Sequence, residues 1–195
     1  MAEQLEQWAG RGVGMHFSGR IPAALADQPG KQITADLVGA ADPAEVTIMN
    51  GLTVNLHLLL LAFYRPKGHR TKILIEDHAF PSDRYAVRSV LRLAGAGDGE
   101  MVSIRPRPGE DTLRTEDILD AVAREGEQLA VLLLSGVQYY TGQKFDMAAI
   151  TAAGRQAGAV VGWDLAHAVG NVELRLNEWQ VGGPAKSASY HDIRR

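Results

Sequence analysis

A chain of 195 residues with 46% hydrophobic and 22% charged residues carries enough apolar material for one core of ordinary size. Its formal net charge of -3 provides no basic field for nucleic acid or an anionic membrane, and the absence of cysteine excludes disulfides, thiolate metal sites and a cysteine nucleophile. The longest apolar run, residues 56–63, is broken by His57 and too short to span a bilayer, and MAEQLEQWAGR at the start has no charged-then-apolar signal, so a cytoplasmic location is expected.

The first element expected is a short helix over 2–9, followed by loop over 10–30. From there short runs rich in Val, Ile and Leu alternate with longer amphipathic segments. The runs, at 46–49, 72–76, 101–104, 129–134 and 159–163, read as strands, and the segments at 52–64, 82–93, 115–125 and 146–156 read as helices. Strands that are apolar at consecutive positions suit a sheet covered on both faces, and intervening helices suit right-handed crossovers between parallel strands. Ser82 reads as the residue before a helix, Glu116 and Asp117 suit a first turn, and Gly158 suits the position just past a helix end. The expected class is α/β, a mainly parallel sheet with helices on both faces.

In such a sheet, ligands bind beyond the carboxyl ends of the strands. The loops to inspect are Asn50-Gly51-Leu52-Thr53, Asp77 to Asp83, Ser135 to Gly142, and Asp164 to His167. Thr53 opens a helix, which is either an ordinary helix start or an anion site built from free N–H groups and the helix dipole. Ser82 and Asp83 are explained by helix capping alone, Phe80 by a core position, Ser135 by a satisfied strand end, and Tyr139 and Tyr140 by a turn with one buried ring. Asp164 stands out because a carboxylate ending an apolar strand is costly unless something pairs with it. Capping of the following turn explains it equally well. His167 lies three residues on. No third residue has convincing metal-ligand spacing beside them, and no GxGxxG or P-loop precedes a helix.

Taken together, MNGLTVNLHLLL (49–60), KILIEDHAFPSDRYA (72–86), PRPGEDTLRTEDIL (106–119), SGVQYYTGQKFDMAAITAAG (135–154) and VGWDLAHAVGNVELRL (161–176) resemble kynureninase. The resemblance runs through most of residues 1–179. It implies the type I fold of pyridoxal 5'-phosphate (PLP) enzymes, with a large α/β domain, a small C-terminal domain and a homodimer. It also implies hydrolysis of L-kynurenine or its 3-hydroxy form to an anthranilate and L-alanine, in tryptophan catabolism and NAD biosynthesis. By that resemblance Leu52 and Thr53 would hold the cofactor phosphate. Phe80 would stack on the pyridine ring, with Pro81, Ser82 and Asp83 lining the pocket. Ser135 would contact the cofactor, Asp164 would pair with the pyridine nitrogen, and His167 would sit beside the ring.

The pattern departs from the family near the end of the chain. The family's cofactor-holding lysine follows a Ser-Tyr pair, whereas Ser189-Tyr190 is followed here by His191, and Lys186 has the wrong neighbours. Residues 1–179 therefore read as a partial PLP-binding large domain and 180–195 as a divergent tail, with the small domain absent and no catalytic residue assigned. Two further readings stand beside a kynureninase-type hydrolase. One is a non-catalytic fragment or pseudoenzyme that binds the cofactor or a second subunit; the other is an unrelated α/β nucleotide-binding domain.

Overall fold

The computed structural model describes residues 1–181. Ser189, Tyr190, His191 and Lys186, and nearly all of the 180–195 tail, lie outside them. Helix α1 (Ala2–Arg11) and short 3-10 turns lead into α2 (Gln28–Val38) and α3 (Leu52–Phe63). A regular alternation follows: β1 (Lys72–Glu76), α4 (Pro81–Leu93), β2 (Met101–Ile104), α5 (Thr115–Glu125), β3 (Leu129–Ser135), α6 (Met147–Gln156) and β4 (Val160–Asp164). The described sheet has the order β2-β1-β3-β4, and every pairing in it is parallel.

Every residue of β3 is buried, which is what a strand covered on both faces requires. On one face Leu132, Leu134 and Val161 pack with Ile118 and Val122 of α5 and Met147 and Ile150 of α6. On the other, Ile73, Ile75, Val131 and Leu133 pack with Leu56 and Leu60 of α3 and with Ala86, Val90 and Leu91 of α4. A buried polar pairing within the first face is satisfied: Trp163 Nε1 donates to Thr151 Oγ1 at 3.0 Å. Ile150 is fully buried against this layer. Ile150→Val is expected to lower the unfolding free energy by about 0.5–1.5 kcal/mol in urea titration, through one lost methylene and the space it leaves.

Three expectations are corrected. Residues 46–49 form no strand; Val46 is buried, but Ile48 and Met49 stay about half exposed and pair with no neighbour among the described residues. The 10–30 stretch is not simply loop, because α1 runs to Arg11, a 3-10 turn spans Gly12–His16, and α2 begins at Gln28. Ser82 does not precede its helix. Phe80 is the N-cap of α4 and Pro81 opens it, the position where proline's missing N–H costs nothing.

Candidate functional site

Because the described strands all run parallel, their carboxyl ends lie along one edge, and Ser135 and Asp164 are register partners there. Glu76 ends β1, the next strand over. Asp83 comes from the first turn of α4, immediately above β1. Four polar side chains thus converge in an apolar surround: Glu76, Asp83, Ser135 and Asp164 are all at least nine-tenths buried.

Their bonding is lopsided. Ser135 Oγ donates to Glu76 Oε1 at 2.6 Å, and Asp164 Oδ1 accepts from the Ala166 amide at 2.9 Å. Ser82 Oγ donates to Asp83 Oδ1 at 3.3 Å. Asp83 and Asp164 themselves lie within hydrogen-bonding reach of one another. No lysine or arginine pairs with any of these three acids among the described residues; Arg84 and Arg105 turn to Asp77 instead. Burial, then the charge of Asp164 and its shared proton, drive Asp83 up to about 8. Burial drives Glu76 up to about 7, with the Ser135 hydroxyl pulling it down and Asp164 pushing it up. A cluster of buried acids without a cation is the arrangement that a cationic ligand completes. No three ligating side chains among the described residues are disposed to hold a metal ion.

Around the acids stand the groups that would grip such a ligand. Leu52 and Asp164 line the same cleft between α3 and the sheet. Gly51 is the N-cap of helix α3, and among the described residues no side chain caps the first amides, a helix start suited to an anion. Its entry is braced by Asn50, which adopts φ 46° and donates to Asn55, and by Asn55, which donates to the Met49 carbonyl at 2.6 Å. Thr53 and Pro81 are exposed, and Ser82 half-buried. The rings of Phe80 and Tyr139 meet edge to face at 5.1 Å between centroids, and His167 lies 6.4 Å from Tyr139. Gln138, which no sequence signal singles out, ties two of the loops together: its Nε2 donates to the His78 carbonyl at 2.7 Å, and its Oε1 accepts from the Tyr140 and Thr141 amides.

The structure therefore brings Leu52, Phe80, Asp83, Ser135, Asp164 and His167 to one edge of the sheet. Two local readings change. Neither Tyr139 nor Tyr140 is buried, and Phe80 is 38% exposed, so the turn has no buried ring and Phe80 is no core residue. Asp164 serves both readings at once: it caps its turn through Oδ1 and still lies against Asp83. Glu76 is absent from the residues the sequence singles out, though the sequence carries a signal for it. It shares a face of β1 with Leu74 by the two-residue period, which puts an acid where an apolar side chain belongs.

The resemblance read from the sequence is borne out by comparison with known proteins. The chain is 56% identical over 178 residues to the kynureninase of Salinispora tropica, covering 91% of this chain and 41% of that protein. It is 50% identical over 182 residues to the kynureninase of Homo sapiens, covering 93% of this chain and 39% of that one. The chain thus spans about two fifths of the length of the curated relatives it matches. No protein-family model matches it. Among solved structures it superposes on the cystine C-S lyase C-DES with TM-score 0.71 at 18% identity, over 95% of this chain and 48% of that one. It superposes on the cysteine desulfurase of Thermococcus onnurineus with TM-score 0.68 at 16% identity, over 92% and 44%. A variant of C-DES that superposes with TM-score 0.68 at 19% identity carries glycine covalently linked to its PLP cofactor. These likenesses establish the α/β fold. No helix among the described residues is long and apolar enough to cross a membrane.

Proposed function

We propose that this chain is part of the cofactor-binding domain of a kynureninase, a PLP-dependent hydrolase of L-kynurenine and 3-hydroxykynurenine. The observation that carries the reading is the buried Asp83–Asp164 pair, which no lysine or arginine among the described residues neutralises and which sits across one cleft from the start of α3. PLP matches both ends of that arrangement, with a pyridine nitrogen that takes a proton and a phosphate that takes amide hydrogens. When bound, the cofactor supplies an electron sink to a substrate amino acid.

The protein's part follows from its own groups. Asp164 would favour a proton on the ring nitrogen, since a neighbouring carboxylate stabilises the charged form by roughly 1–3 pKa units. Asp83 supports it from the first turn of α4. The Leu52 and Thr53 amides and the Thr53 hydroxyl bind the phosphate at the positive end of the helix dipole. Phe80 would stack on the ring, contributing about 0.5–1.5 kcal/mol beyond its buried area, and His167 would sit beside it. Pro81 and Ser82 line the same pocket, and Ser135 presents its hydroxyl from the adjacent strand end. Pairing of two subunits and a cytoplasmic setting belong to the same proposal.

Anthranilate fluorescence during incubation with L-kynurenine and PLP tests the reading. This chain is expected to bind PLP without turnover, because His191 stands where the family has lysine. A protein carrying this segment with lysine in that place is expected to release anthranilate. Release of none, from a PLP-loaded protein with that lysine, would overturn the assignment.

A further inference from the structure

We infer that Glu76 is a positioning residue of this site: a carboxylic acid that stays neutral in weakly acidic solution in the folded chain and, through Oε1, fixes the hydroxyl of Ser135. The inference deepens the cofactor reading and rests on it only for the identity of the ligand that Ser135 and Asp164 face.

Three observations carry it. Glu76 is 1% exposed at the end of β1, among the least accessible side chains of the molecule. Its Oε1 takes the Ser135 hydroxyl at 2.6 Å, while Oε2 is buried with no hydrogen-bond partner. A buried carboxylate whose second oxygen accepts nothing would carry a large desolvation cost; a neutral acid in the same place carries far less.

The charged groups around it point the same way. Asp164 on β4 and Asp83 on α4 face it across the strand ends, and both are acids. On its open side lies a cavity of about 340 Å³ that it lines together with His78, Glu110 and Asp111. Glu110 is held by Arg114. Arg84 and Arg105 are committed to Asp77. Burial raises Glu76 from an ordinary 4.5 to about 7, in keeping with the geometry. The consequence for the site is a count of charges. With Glu76 neutral, one bound cation meets the Asp83–Asp164 pair alone, and the Ser135 hydroxyl hydrogen is committed to Glu76.

The test is the unfolding midpoint of the whole 195-residue chain, without PLP, from pH 5 to pH 8. An acid whose folded-state pKa lies above its unfolded value binds its proton more tightly when folded. Its contribution is therefore intact below about 4.5 and is lost as pH rises toward 7. That loss is on the order of 10²-fold in the folded-to-unfolded ratio. Glu76→Gln keeps the acceptor for Ser135 and removes the titration. The midpoint difference between Glu76→Gln and the unsubstituted chain is expected to grow in favour of the variant as pH rises from 5 to 8. Asp83 titrates in both, and Glu76 is the last and smallest of the causes that raise it, so most of the Asp83 contribution drops out of the difference. Ser135→Ala removes the hydroxyl that holds the Glu76 pKa down, and should move the pH-dependent fall to higher pH. A difference constant across the range, or a fall unmoved by Ser135→Ala, would show Glu76 ionised or uncoupled from Ser135 and overturn the inference. All arms are ligand-free, so a failure of the PLP reading would leave them standing, and their failure would leave that reading untouched.

Discussion

Asp164→Asn is expected to weaken PLP binding on the order of 10²-fold, and to raise the unfolding midpoint of the ligand-free chain at the same time. Both effects have one cause. In the ligand-free chain Asp164 is packed against Asp83, and the charge it carries is what pushes that neighbour upward after burial itself. Replacing one carboxylate with an isosteric amide relieves the repulsion and lets the new side-chain NH₂ donate to Asp83, so the unfolding equilibrium shifts toward the native state. The same change deletes the acceptor that a pyridinium needs, and a cation left facing an amide at a buried site loses several kcal/mol of interaction. Stability and ligand affinity thus move in opposite directions, the usual mark of a site kept at some energetic cost. Asp83 sets the floor of the loss, since it lies close enough to take over part of the contact. The double variant with Asp83→Asn should therefore bind more weakly still. Titration of PLP against tryptophan fluorescence reads the affinity, and a thermal melt reads the stability. Unchanged affinity in Asp164→Asn would remove the cofactor role from this residue; a lower midpoint would mean that Asp164 is paired to something the acid cluster does not account for.

How far the sequence reaches is decided by which residues report on their own surroundings. The β1, β2, β3 and β4 segments are legible because a strand covered on both faces is apolar at nearly every position, and Leu129 to Leu134 meets that condition in full. Residues 46–49 come close to the same composition, with Thr47 the one polar member, but hydrogen bonding to a neighbouring strand is not a property of composition, and among the described residues Ile48 and Met49 find none. Helix α2 is hidden by Pro29 and Gly30 in its first turn and by a narrow buried stripe of Thr34, Ala35 and Val38. Asp83, Ser135 and Asp164 can be found because parallel topology sends every strand end to one edge. Their mutual pairing cannot, since it depends on how α4 sits above β1. Glu76 escapes for a related reason: at the end of KILIE it reads as the first solvated residue, and only the face it shares with buried Leu74 shows otherwise.

Gly39→Ala should destabilise the chain by about 2–4 kcal/mol, although the substitution lies far along the sequence from any site residue. Gly39 closes α2 in the left-handed conformation, with φ 67°. A β-carbon there meets two penalties. The first is conformational, about 1–2 kcal/mol for an L side chain in that region. The second is steric. The added atom would lie 2.8 Å from both Arg175 Cα and the Leu174 carbonyl oxygen. Backbone atoms cannot rotate out of the way as a side-chain tip can, so the 174–177 segment must move. That segment is held by the Leu176 amide on the Val38 carbonyl and by the Asn177 amide on the Gly39 carbonyl, each at 3.0 Å. It also buries Leu174 and Leu176 in the main core. Since residues 165–177 lead directly out of Asp164 and carry His167, loosening the anchor reaches the site through the chain itself. Gly95→Ala isolates the two terms. Gly95 has φ 74° and nothing within 4 Å of the added carbon, so it bears the conformational penalty alone. Urea titration of the pair should give about 1 kcal/mol for Gly95→Ala and a clearly larger loss for Gly39→Ala. Equal losses would mean that the 174–177 segment yields without cost and does not anchor the loop beyond β4.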